Sequence, residues 1–152
     1  MHDDDPEHFR AMLKYIYARK YEQPANNLEL IKRFLYPIGL YVLADKYAIE
    51  GLTEDAVANV GCFSSYTSGY SCQVTPGEAH METVIRATYG SGTVVGSALG
   101  LKISRYFLRH QKVFLKDAIF VSLVKEFPAL GADTFLAGIK MGLMDTKGKG
   151  YR

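Results

Sequence analysis

Cys62, Cys72, His80 and His110 are the residues whose types could support nucleophilic or metal chemistry. A nucleophilic thiol needs a base placed beside it. Structural zinc needs four ligands, usually with C-x₂₋₄-C spacing. The separation of Cys62 from Cys72 fits no such pattern, His80 completes none, and no fourth ligand is near. Two cysteines do not make a disulfide framework, so free thiols are expected in a reducing compartment. The run Gly90-Ser91-Gly92-Thr93-Val94-Val95-Gly96-Ser97 has the composition of a phosphate-cradling loop. Such a loop follows a strand and, in a P-loop, ends in Gly-Lys-Ser/Thr. Here a helical pattern precedes it and the next lysine is Lys102, so it reads as a plain connection between helices. No acid and base are paired on one face, and the expectation is no enzyme, no metal and no cofactor.

One periodic feature stands apart. Lys102, Arg105, Arg109, Lys112 and Lys116 recur at 3, 4, 3, 4 spacing. At 100° per residue this places all five within about 80° of arc on one helix. The plain reading is the solvated face of an amphipathic helix. The functional reading is a basic stripe for an acidic protein or for nucleic acid. Without interleaved aromatics or a recognised reader motif, nucleic acid is the weaker version.

The elements that would carry these residues are helical throughout. Asp5 is a good N-cap, Pro6 suits the first helical position, and Glu7 meets the positive end of the helix dipole. Phe9, Met12, Leu13, Ile16 and Tyr17 then form one apolar stripe. Residues 28–47 read as one or two helices interrupted by Pro37, which lacks an N–H and disfavours α at Tyr36, so a kink or a fresh start is expected there. A turn at Ile49-Glu50-Gly51 precedes a short helix from near Thr53 to Val60. Residues 61–75 are rich in Ser, Thr and Gly and read as a linker. Thr75-Pro76-Gly77-Glu78 is a capping box that opens a helix with Met81, Val84, Ile85, Thr88 and Tyr89 on one face. Further helices are expected over 97–115, over 118–126 with Ile119, Leu123 and Phe127 inward, and over 132–141. A flexible tail, 143–152, closes the chain.

Composition agrees with a folded domain: 48% hydrophobic and 22% charged, with a formal net charge of +2. That charge is too small to argue for nucleic acid by itself. Residues 1–60 hold 7 Lys/Arg and 10 Asp/Glu, and residues 61–152 hold 11 and 6, so the first part is acidic and the second basic. No apolar run approaches the ~20 residues that span a bilayer, and the acidic start Met1-His2-Asp3-Asp4-Asp5 is unlike a signal or transit peptide. A nuclear or cytoplasmic location, with no membrane association, is the expectation.

Two segments carry a family resemblance. Asp5-Pro6-Glu7-His8-Phe9 running into Ile16-Tyr17-Ala18-Arg19, and Val42-Leu43-Ala44-Asp45-Lys46-Tyr47 ending in Ile49-Glu50-Gly51-Leu52, resemble the helical second half of a BTB/POZ domain of the fungal type. Leu115-Lys116-Asp117 through Phe127-Pro128 and Phe135-Leu136-Ala137 resemble the helical extension that follows it. The family has a glycine where Arg19 stands here. It also places a sheet and its first helices before the D-P-E-x-F helix, so the resemblance is to a fragment or a shortened gene product.

The resemblance implies an all-α chain: the C-terminal helical part of a BTB/POZ-like domain over 1–60, a linker over 61–75, and a small helical bundle extension over 76–142. It further implies protein–protein interaction and a truncated substrate adaptor of a cullin-type ubiquitin ligase. In complete BTB adaptors the surface near the I-Y-T-G turn meets the cullin scaffold, which makes Tyr17 and Tyr21 the candidate contacts. With family elements absent before Asp5, apolar area on the first helices is expected to stay uncovered and self-association to follow. The alternatives are a nucleic-acid-associated protein using the basic face over 102–116 and a small enzyme of unknown class.

Overall fold

The computed structural model describes residues 4–21, 29–61, 78–109 and 117–143, and every regular element among them is an α-helix. These are α1 (Pro6–Ala18), α2 (Leu30–Lys46), α3 (Glu50–Asn59), α4 (Glu78–Tyr89), α5 (Ala98–Arg109), α6 (Ala118–Glu126) and α7 (Pro128–Lys140). The chain divides into two compact units, Met1–Ala87 and Thr88–Arg152. The capping box at 75–77, the linker residues 62–75, Cys62, Cys72, His110, Lys112, Lys116 and the tail from 144 onward lie outside the described residues.

In the first unit α1 packs on α2, and α2 on α3. Asp5 caps α1 by accepting from the Glu7 N–H at 2.9 Å. Ala11, Met12 and Tyr15 of α1 join Leu40, Leu43, Ala44 and Leu52 in one buried cluster, with Phe9, Tyr21, Tyr36 and Ile49 packed at its edge. This corrects the stripe expected on α1. Only Met12 of its five residues is fully buried; Leu13, Ile16 and Tyr17 are 39%, 44% and 87% exposed. The helix is turned so that a small side chain, Ala11, and the flat ring of Tyr15 meet α2. Packing selects for shape as well as apolarity.

Of the two readings of residues 28–47, the single helix holds: α2 runs from Leu30 to Lys46 with Pro37 inside, and no second helix starts there. A proline removes one backbone bond. Here burial of Phe34, Ile38 and Leu40 around it offsets that loss, at about 1.5–3 kcal/mol for each large apolar side chain. The turn expected at Ile49-Glu50-Gly51 is also shorter than read, because α3 starts at Glu50.

Helix ends show where the backbone is strained. Ala48 follows α2 at φ 55°, with the Ile49 N–H bonded to Ala44 O at 2.8 Å and the Ala48 N–H to Asp45 O at 3.1 Å. This is a Schellman cap, and α7 ends in the same way with Gly142 at φ 69° in the left-handed place. Arg19, where the resembled family has glycine, is left-handed too, at φ 51° and ψ 33°, and its N–H bonds Tyr15 O at 2.7 Å. A side chain there is held in a conformation that only glycine adopts freely. Arg19→Gly is therefore expected to stabilise the first unit by about 1 kcal/mol, measured as a higher urea midpoint with an unchanged slope.

In the second unit α5 and α6 each pack on α7. Leu99, Ile103, Phe107, Phe120, Leu123, Leu130 and Ala137 are buried. Phe107 and Phe120 meet edge to face with centroids 6.0 Å apart. Asp117 caps α6, accepting from the Ile119 N–H at 2.9 Å. Ile119, expected inward, is exposed, and Phe120 takes the buried place. Both faces of this nine-residue helix are apolar, so the pattern alone did not choose between them. The last helix begins at Pro128 rather than at Ala132, using Pro128 as its first residue.

Candidate functional site

On α1, Arg10, Leu13, Lys14 and Tyr17 span about 100° of arc on the side away from Ala11 and Tyr15. Leu13 and Tyr17 form one i, i+4 ridge, and Arg10 and Lys14 form the next. With Ala18, Lys20 and Tyr21 from the segment after the helix, they line an open concavity of about 450 Å³. Arg10, Leu13, Lys14, Tyr17, Ala18 and Lys20 are exposed, while Tyr21 is half-buried against the core cluster. Among the seven described residues that line it, three are basic and none is acidic.

The two tyrosines singled out in the sequence therefore meet at one site, in different roles. Tyr17 presents its ring to solvent. Tyr21 forms the floor: its hydroxyl is buried without a hydrogen-bond partner among the described residues, and burial pushes its ionisation well above the usual phenol range. Nearby Tyr36 and Asp55 push it the same way. The basic members of the site were not singled out in the sequence, although the Arg10–Lys14 pair beside Leu13–Tyr17 is a readable signal at i, i+4 spacing.

The N-terminal end of α1 is tied down by polar contacts. Asp4 accepts from Lys46 Nζ at 2.8 Å and from the Tyr47 hydroxyl at 3.0 Å, and these bonds hold its carboxyl below the usual range. His8 Nδ1 lies 2.8 Å from Asp5 Oδ2, and its ring lies 5.1 Å from that of Tyr36. A Cβ at Gly39 would fall 2.7 Å from His8 Nε2, so the glycine makes room for the imidazole.

The second unit holds a buried polar network that the sequence did not suggest. Asp133, wholly buried on α7, accepts from the Gly96 N–H at 2.6 Å and from the Tyr89 hydroxyl at 3.0 Å. Gly100, on α5, has its carbonyl 3.3 Å from the same hydroxyl and its N–H bonded to Ser97 Oγ at 3.0 Å. Ser91 and Thr93 both donate to Thr88 O. The glycine-rich run is thus an inter-helix loop fixed by a carboxylate. Its anchor, Asp133, already uses both of its oxygens.

Of the basic stripe, Lys102 is half-buried and Arg105 and Arg109 are exposed on α5. No three His, Cys, Asp or Glu side chains gather to hold a metal among the described residues, and no helix among them is long and apolar enough to cross a membrane. Comparison of the chain with protein-family models, with curated proteins and with solved structures finds no match.

Proposed function

We propose that this chain is a BTB/POZ-like protein–protein interaction module that docks partners on the outer face of α1 and the turn after it. The observation that carries the reading is the placement of Leu13, Ile16 and Tyr17. They stand exposed on a capped helix whose opposite face is packed into a core. Large apolar side chains clustered in this way mark binding surfaces, and tyrosine buries much area there at little rotamer cost. The resemblance makes a cullin scaffold the first partner to try and a substrate adaptor the role, with a nuclear or cytoplasmic location.

The test is titration calorimetry of the purified chain with a cullin N-terminal domain, repeated with Leu13→Asp/Tyr17→Asp. Micromolar binding that the double variant weakens at least tenfold, with its thermal midpoint held, is the expected result. Absence of binding overturns the cullin role, and equal binding by the variant overturns the surface. A second reading, nucleic acid on α5, draws on Lys102, Arg105 and Arg109 having no buried member. Duplex DNA binding that falls steeply with salt would support it.

A further inference from the structure

Resting on the reading of α1 as a docking face, we propose that its occupant is an acidic amphipathic helix of a partner protein. The concavity sets apolar and basic rows side by side. Leu13 and Tyr17 offer one i, i+4 ridge for apolar anchors spaced i, i+3, i+4 and i+7 on a second helix. Arg10 and Lys14 run parallel to that ridge, and Lys20 lies beyond the helix end. A helix seated on Leu13 and Tyr17 would carry its flanking positions over these three cations.

The charge is specific to this place. Residues 1–60 have an excess of acidic side chains, 10 against 7 basic, yet three of the seven basic residues line this one concavity. Positive charge collected on one side of an otherwise acidic unit selects a partner by sign and rejects a basic one. The site is also concave and floored by Tyr21, which suits an inserted ridge of side chains rather than a flat anionic surface.

The experiment uses the full chain and three 18-residue fluorescent peptides. All have leucine at the same helical spacing; the remaining positions are Glu/Asp, Gln or Lys. Anisotropy is read at 50 and 300 mM salt. The acidic peptide is expected to bind at least tenfold more tightly than the lysine peptide and to weaken as salt rises. Arg10→Glu/Lys20→Glu is expected to lose tenfold or more for the acidic peptide while keeping its thermal midpoint, because both side chains are exposed. If all three peptides bind equally and Leu13→Asp abolishes binding, the docking face survives and the acidic partner is refuted. Failure of the acidic peptide to bind overturns the inference. So does binding of phosphatidylserine vesicles through Arg10 and Lys20 with no peptide binding.

Discussion

Asp133→Ala is expected to destabilise the second unit by about 2 kcal/mol. The substitution takes the carboxylate from two donors: the Tyr89 hydroxyl is buried, where an unpaired group costs about 1–3 kcal/mol, whereas Gly96 is exposed and its N–H turns to water at smaller cost. Tyr89 keeps a long contact of 3.3 Å to Gly100 O, which softens its share. Asp133→Asn retains one acceptor oxygen but turns an amide N–H₂ toward the other donor, so it is expected to recover only part of the loss. No cation pairs with Asp133 among the described residues, so the effect should change little with salt.

Gly100→Ala tests the same network from the other side. A glycine-to-alanine change inside a helix ordinarily stabilises by about 1 kcal/mol. At Gly100 the added Cβ would lie 2.1 Å from Asp133 Oδ2, far inside contact distance. The carboxylate must move, and both of its bonds move with it. Overpacking of this kind costs roughly 1–3 kcal/mol, so a net loss of about 2 kcal/mol replaces the usual gain. Urea unfolding of the two variants measures both, and stabilisation by Gly100→Ala would show that Asp133 is not fixed where it lies.

Asp133 also shows why parts of the site were illegible in the sequence. It stands inside an amphipathic helix, where an aspartate reads as solvated. Its two donors come from positions 44 and 37 residues away. No local spacing encodes that meeting. The α4 face, by contrast, was readable residue by residue: Met81, Val84, Ile85, Thr88 and Tyr89 are all buried as the period requires. A single strong stripe with polar residues between leaves no competing choice.

On α1 the apolar period selects Leu13 and Ile16, yet the core takes Ala11 and Tyr15, which leaves Leu13, Ile16 and Tyr17 as an exposed apolar ridge. At Pro37 the sequence left one helix or two open for a related reason: the ~3 kcal/mol that an interior proline costs is set against Phe34, Ile38 and Leu40, whose burial only the tertiary structure reveals. Arg19 is a different case: the resembled family has glycine at this place, and the chain keeps a left-handed turn there with arginine in it.

Raising pH above about 10 is expected to destabilise each of the two units, through one buried phenol in each. Tyr21 and Tyr89 both have their ionisation pushed up, chiefly by burial, and Asp133 pushes that of Tyr89 the same way. A phenol of the unfolded chain ionises near pH 10, whereas these two keep their protons beyond it when folded. Above pH 10 the folded state therefore binds more protons than the unfolded state. The stability is fully present below that pH and is lost as pH rises through the interval up to the folded values. Each retained proton is worth about 1.4 kcal/mol per pH unit, so Tyr21 gives a slope of about 1.4 kcal/mol per unit to the first compact unit and Tyr89 the same to the second. Tyr21→Phe separates the contributions. Its hydroxyl is buried without a partner among the described residues, so removing the oxygen should stabilise the first unit by about 1 kcal/mol at pH 7 and remove the Tyr21 share of that unit's alkaline slope, leaving the second unit's unchanged. The measurements are urea midpoints from pH 7 to 11 and phenolate absorbance at 295 nm. A Tyr21→Phe variant that is less stable at pH 7 would mean that the hydroxyl has a partner after all.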